Sequence, residues 1–138
     1  MCILFLYTNP DAETGQFRLI IATNRDEHFE RPAKQANFWE EFPAILGGRD
    51  MEPGREGGTW FAMSKKGRIS TLLNVMGSTS TSTKGRGWIV PGYLNAEVSA
   101  EQHLSKLKDS AHEYSLFNLL AVDVRYTDNF ICNQLVII

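Results

Sequence analysis

The sequence has little cysteine, little histidine and no long apolar run, and each shortage removes a class of protein. Its 138 residues include two cysteines, Cys2 and Cys132, at opposite ends. Two cysteines so placed make no disulfide framework, and a reducing compartment, the cytosol, is the expected setting. The three histidines, His28, His103 and His112, form no CxxC- or HxxxH-type spacing with each other or with the cysteines, so no metal site is expected. No apolar run reaches the roughly 20 residues a membrane-spanning helix needs, and no transmembrane segment is expected. The opening stretch Met1–Tyr7 is apolar, but it is short and has no basic segment before it, unlike a secretory signal. It also lacks the Arg- and Ser-rich character of a mitochondrial transit peptide. Neither charge dominates: 14 basic against 16 acidic residues leave a net of -2. That balance argues against nucleic acid or an anionic membrane as a general partner.

What is present is ordinary for one folded domain. Hydrophobic residues make up 43% and charged residues 22% of the chain, enough apolar surface for a buried core at this length. Cys2–Tyr7 reads as a buried strand, ended by the turn chemistry of Asn9, Pro10, Asp11 and Gly15. Arg18–Thr23 reads as its hairpin partner. Residues 32–58 read mostly as loop, punctuated by Gly47-Gly48, Pro53-Gly54 and Gly57-Gly58. Thr59–Met63 and Ile69–Val75 are the next expected strands, joined by a tight turn at Lys65-Lys66-Gly67. Ser78–Thr83 is a low-complexity Ser/Thr loop. Helix is expected from about Gly87, with Pro91 in a first turn or at a kink. Ser99-Ala100-Glu101-Gln102 is a capping box that opens a second helix, with Leu104 and Leu107 facing a sheet. Phe117–Val122 and Asn129–Ile138 are the last strands, and the sequence stops on the apolar run Gln134–Ile138. Such an edge invites pairing with another chain, so either a partner or a truncated product is expected, truncation being the favoured reading.

Few residues are placed to do chemistry. If Met1 is removed, Cys2 carries an α-amine of reference pKa about 7.7–8.0 beside a thiol of about 8.5, a base and a nucleophile in one residue. Its plain alternative is a small core residue. Arg25 and Asp26 follow the second strand, where an Arg favours a thiolate and an Asp orients an ammonium; they serve equally as a salt-bridged loop anchor. Asn74, at a strand end, can donate to a developing oxyanion or satisfy its own turn. Asn24 and Glu27 fit turn or cap positions, and His28 reads as exposed. Lys84-Gly85-Arg86-Gly87 runs into a helix and is a weak anion-binding signal, without the full phosphate-loop pattern.

Taken in order, several blocks resemble one family. Cys2, Ala22-Thr23-Asn24-Arg25-Asp26-Glu27 and Arg31-Pro32 are similar to the signature of the NRDE family of the transport-and-Golgi-organisation type. The likeness continues through Trp39, Leu46-Gly47-Gly48-Arg49-Asp50, Gly54–Trp60, Asn74, Gly85-Arg86-Gly87 and Phe117-Asn118-Leu119, nearly the whole chain. The resemblance implies an α+β fold, an N-terminal-nucleophile-hydrolase-like αββα sandwich incomplete at its C-terminus. Residues 1–138 are then the N-terminal portion of a single NRDE-type domain. By position, Cys2, Arg25, Asp26 and Asn74 match the site residues of choloylglycine- and penicillin-acylase-like relatives. Arg25 and Asp26 are adjacent here, and adjacent strand residues point to opposite faces, so a bend is needed to bring both to Cys2. The resemblance further implies handling of a hydrophobic anionic ligand, haem or acyl-CoA, in lipid homeostasis, haem trafficking, Golgi organisation and secretion, at the Golgi or the mitochondrion. A haem site needs an axial ligand, and no CxxCH or Cys-Pro pair supplies one. The alternative is an amide or thioester hydrolase with Cys2 as nucleophile.

Overall fold

The computed structural model describes residues 2–75, 84–127 and 130–137, with side chains followed as far as residue 124. The Ser78–Thr83 loop and the chain's final residue lie outside this range. The described residues form a mixed α+β structure with two sheets. Strands β1 (Ile3–Thr8) and β2 (Leu19–Asn24) make an antiparallel hairpin, as expected from the turn residues between them. The Asn9 amide donates to Arg18 O at 2.9 Å to close that turn, and Gly15 takes a φ of 89° within it.

The second sheet has six strands, each antiparallel to its neighbour in sequence: β3 (Ala33–Phe38), β4 (Ile45–Asp50), β5 (Phe61–Ser64), β6 (Arg68–Asn74), β7 (Phe117–Thr127) and β8 (Phe130–Ile137). Two of them occupy the stretch expected to be mostly loop, which corrects that reading. Strand β3 is exposed along its whole length and broken by an irregular register between Lys34 and Asn37. As an edge strand it needs no apolar alternation to pair. Strand β4 has glycine where strand propensity is lowest, because a Cβ at Gly47 would sit 2.6 Å from the Ala62 Cβ of β5. Close approach of neighbouring strands decided those residues, not local preference. At the β5–β6 turn Gly67 has a φ of 80°, and a side chain there would meet Val124 O at 2.1 Å.

The helices lie on one face of this sheet. A single 3-10 turn at Arg86–Trp88 runs into α1 (Ile89–Asn95), followed by α2 (Ala100–Ser110). Pro91 falls at the third residue of α1, inside the first turn where its missing amide has no intrahelical acceptor anyway. The capping box at α2 is present in full: Gln102 N donates to Ser99 Oγ at 3.2 Å and Ser99 N to Gln102 Oε1 at 3.3 Å. Leu104 is buried and Leu107 packs against the core. That core joins Ile89, Val90, Tyr93 and Leu94 of α1 to Ile45, Ala62, Leu72, Leu119 and Ala121 of the sheet. No helix among the described residues is long and apolar enough to cross a membrane.

One charged residue ties the layers together. Arg68, only 7% exposed, opens β6 opposite Asp123 of β7, with Nε 3.8 Å from the Asp123 carboxylate. Its guanidinium donates to the carbonyls of Tyr93 at 3.2 Å, Val98 at 2.6 Å, and Ala96. It thereby caps the end of α1, bonding one carbonyl of its last turn and two just beyond it. Replacing it leaves those carbonyls and a buried carboxylate short of a cation. R68A is expected to cost about 3–5 kcal/mol, the loss seen when one member of a buried ion pair is removed, read from urea unfolding.

His103 gives a pH signature. Its ring packs on Tyr93 with centroids 5.5 Å apart. Burial first, then the charges of Arg68 and Lys106, hold its pKa below the ordinary 6.5. The unfolded chain therefore binds the proton more readily than the folded one, and stability falls as pH drops from 6.5 toward the lower folded value. Urea midpoints at about pH 7.5 and about pH 5.5 should differ in the wild type and differ less in H103Q.

Candidate functional site

The polar run that ends β2 is spent first on joining the hairpin to the larger sheet. Arg25 leaves the strand with its guanidinium 4.2 Å above the Trp60 ring centroid, a cation–π contact across the two sheets. The same guanidinium lies 3.8 Å from Glu27 and 4.0 Å from Asp50 at the end of β4. Arg31 grips Asp50 with both arms of its fork, at 3.1 Å and 2.7 Å, and stands 3.4 Å from Glu27. Two arginines and two carboxylates thus form one half-buried network. A planar fork on a carboxylate fixes direction as well as distance.

The second wall comes from glycine. A Cβ on Gly58 would be 2.9 Å from Gly87 Cα, and one on Gly87 would be 3.0 Å from Gly58 Cα. The Thr59 amide donates to Gly87 O at 2.9 Å across this contact. Only glycine permits backbones so close. Segment 84–88 is thereby laid against the loop before β5, and Lys84 forms a parallel bridge with Tyr114.

Between these walls is a cleft of about 700 Å³, within the usual range for small-molecule sites. Arg25, Arg31, Arg55, Lys84 and Arg86 line it, against Glu27, Asp50 and Glu56; five cations face three carboxylates in a chain whose net charge is -2. Trp60, Leu72, Trp88 and Tyr114 supply its apolar lining.

Of the four candidate residues, Arg25 and Asn74 line this cleft. Asn74 ends β6 opposite Phe117. Cys2 is half-buried just ahead of β1 and is not among the lining residues. Ile3 pairs with Asn24, so the ladder carried one step further sets Cys2 opposite Arg25. Asp26 is exposed and is not among the residues that line the cleft. His28 is exposed, its amide donating to Glu27 Oε1 at 3.1 Å.

Sequence reasoning did not single out Asp50, Arg31 or Arg55 as site residues, since Asp50 and Arg55 lie in the stretch that reads as loop and Arg31 just before it. Arg86 lies within the segment noted for anions, and Lys84, Gly85, Arg86 and Gly87 all line the cleft. Arg86 is half-buried, and its guanidinium donates to Leu116 O at 2.7 Å. Burial first, then the like charges of Arg55 and Arg31, lower its pKa from the ordinary arginine value, with Cys2 acting in the opposite sense.

Asp50 makes the network testable. Burial raises its pKa, but the Arg31 hydrogen bonds, the Glu52 amide and the charges of Arg31 and Arg25 outweigh it and leave the carboxyl below the ordinary 3.8. Its contribution to stability is present above 3.8 and is lost as pH falls through the lower folded value. D50N should lower stability by roughly 1–3 kcal/mol near neutrality, and its melting curve should converge with that of the wild type as acid protonates Asp50.

The chain as a whole is similar to known proteins. The family model described as Transport and Golgi organisation 2 matches residues 1–137. The Transport and Golgi organization protein 2 homolog of Homo sapiens is 40% identical over 126 residues, covering 90% of this chain and 46% of its own length. That of Bos taurus is 38% identical over 126 residues with the same coverage. Transport and Golgi organization protein 2 of Drosophila melanogaster is 34% identical over 131 residues, again 90% of this chain and 46% of its own. The chain spans about half the length of the curated relatives it matches. From its first strand to its last, the chain belongs to the Transport and Golgi organisation 2 family.

Proposed function

We propose that the cleft receives a hydrophobic anionic ligand, an acyl-CoA or haem, and that the protein carries or delivers it. The observation that carries this reading is the lining itself: a cationic rim around Trp60, Leu72, Trp88 and Tyr114. Such a wall holds an apolar body by burial while the guanidiniums hold an oxyanion, and acyl-CoA and haem share that plan. Their demands then diverge. Haem also wants an axial ligand, and of the side chains that serve, the described lining residues include Tyr114 but no His, Cys or Met. An acyl chain asks only for apolar wall. The family's name speaks of transport and Golgi organisation, which supports a reading in which the ligand is handled in Golgi organisation and secretion. Lipid homeostasis and haem trafficking, in the cytoplasm or at the mitochondrion, fit the same ligands. The wider fold in this reading is an N-terminal-nucleophile-hydrolase-like αββα sandwich, with residues 1–138 forming the first part of one NRDE-type domain.

Hydrolysis is the second reading, favoured by one observation: Cys2 stands half-buried just ahead of β1, next to Ile3, which pairs with Asn24 beside Arg25. Here Cys2 attacks the carbonyl while its α-amine takes the thiol proton, Asn74 donates to the oxyanion, and Arg25 and Asp26 set the charge. The C–N or C–S bond breaks as the α-amine hands that proton to the leaving amine or thiol, and water then splits the acyl-cysteine to acid and free Cys2.

Titration of the intact protein separates the two. A carrier should bind palmitoyl-CoA or haem stoichiometrically, with a rise in melting temperature, and should release the ligand unchanged. A hydrolase should liberate free CoA and show a Cys2 acyl adduct by intact mass. Unchanged melting and no spectral change with either ligand would sink the carrier reading; retained Met1 would leave the hydrolase without its base.

A further inference from the structure

The β1–β2 hairpin is apolar on both of its faces. Ile3, Leu4, Phe5, Leu6 and Tyr7 follow one another in β1, and Leu19, Ile20, Ile21 and Ala22 in β2. Unbroken apolar runs mark strands covered on two sides, whereas a strand with one wet face alternates. The register puts Leu4, Leu6, Leu19 and Ile21 on one face, half-buried within the chain. Ile3, Phe5, Tyr7, Ile20 and Ala22 share the other face, and all five are exposed. Among the described residues no further strand pairs with β1 or β2. Two strands that keep a bare apolar face are marginal in water.

Area, charge and relief select the cover. Phe5 is 68% exposed, Tyr7 50% and Phe17, at the turn end of the hairpin, 72%. With an aromatic side chain carrying about 150–250 Å², these three together with Ile3 and Ile20 leave roughly 500 Å² of apolar surface bare. Two such faces laid together remove roughly 1,000 Å² from water, the area at which specific interfaces begin. None of the residues of the strand face, Ile3, Phe5, Tyr7, Ile20, Ala22 and Asn24, is charged. Two copies therefore meet there without like-charge repulsion, and no lysine or arginine on the face draws an anionic membrane. The relief is self-complementary. Phe5 lies directly opposite Ala22, a projection beside a dent, and a two-fold axis between them sets each Phe5 ring over the other copy's Ala22.

We propose that the outer face of the β1–β2 hairpin is a homodimer interface, stacked on a second copy of this chain about a two-fold axis beside Phe5 and Ala22. The two hairpins then form a four-stranded double layer, with their sheets about 10 Å apart and their side chains interdigitated. This contact does not depend on what the cleft holds. It bears on the cleft mechanically, because the same hairpin carries Arg25 to Trp60 and Asp50.

Sedimentation equilibrium of the full chain, wild type beside F5A, A22F and the double variant F5A/A22F, tests it. The wild type should dimerise reversibly in the micromolar range, as an interface at the low end of the specific sizes does. F5A removes the projection and A22F fills the dent, and each should raise the dissociation constant at least about tenfold. A22F should do so although it adds apolar surface. The double variant exchanges projection and dent, and should return to within about threefold of the wild type. A chain that stays monomeric overturns the proposal; if that monomer floats with neutral phosphatidylcholine vesicles, the face belongs to lipid instead. A dimer unmoved by both single variants overturns the hairpin as its interface. A22F associating as tightly as the wild type, or an open-ended series of aggregates, marks unspecific adhesion and overturns the two-fold contact. Should a variant fail to fold, a half-labelled mixture of wild type decides by isotope-filtered NMR. Contacts should join the Phe5 ring of one copy to the Ala22 methyl of the other, and intermolecular contacts lying elsewhere overturn the proposal.

Discussion

Asp50 is the joint on which the site depends. It closes β4, takes both arms of Arg31, accepts the Glu52 amide and stands 4.0 Å from Arg25. Three chain segments converge on one carboxylate. Among the described residues the hairpin β1–β2 forms its own two-stranded sheet, hydrogen-bonded to none of the other six strands. Its orientation therefore has to come from side chains at its end, and Arg25 supplies them by reaching Trp60 and Asp50 together. The polar tetrapeptide after β2 is in this sense a structural anchor first, and a wall of the cleft as a consequence.

The opposite wall is made without charge. Gly58 and Gly87 bring two backbones into contact, and the Thr59–Gly87 hydrogen bond secures them. A single-residue clamp leaves the flanking side chains, Arg86 and Trp88, projecting on a short leash into the space beside it. Arg68 performs a comparable service deeper in the molecule, ending α1 and anchoring it to Asp123 of β7. Ion network, glycine clamp and buried arginine are three different solutions to one problem. A sheet and a few short helical segments must be held in register when local propensity does little to specify their relative placement.

The hairpin adds a second feature that bears on the whole protein. Ile3, Phe5, Tyr7 and Ile20 are 44%, 68%, 50% and 44% exposed. In the register of β1 and β2 they share one face, with Phe5 opposite Ala22 and Tyr7 opposite Ile20. The opposite face, with Leu4, Leu6 and Ile21, is half-buried.

The sequence by itself determined the elements whose signals are local. The β1–β2 hairpin follows from a turn with Pro and Gly, α2 from its Ser99–Gln102 capping box, and the β5–β6 turn from Gly67. The family was legible too, because its blocks survive in order from Cys2 to Leu119. The strands β3 and β4 were not legible, since an edge strand needs no apolar alternation and Gly47 is dictated by the neighbouring Ala62 rather than by its own preference. The candidate site divided along the same line. That Arg25 and Asn74 border one cleft was readable from their strand-end positions. That Asp50, Arg55 and Arg86 border it too was decided only by tertiary structure, because residues far apart in sequence are brought together by glycine contacts and ion pairs that leave no periodic trace along the chain.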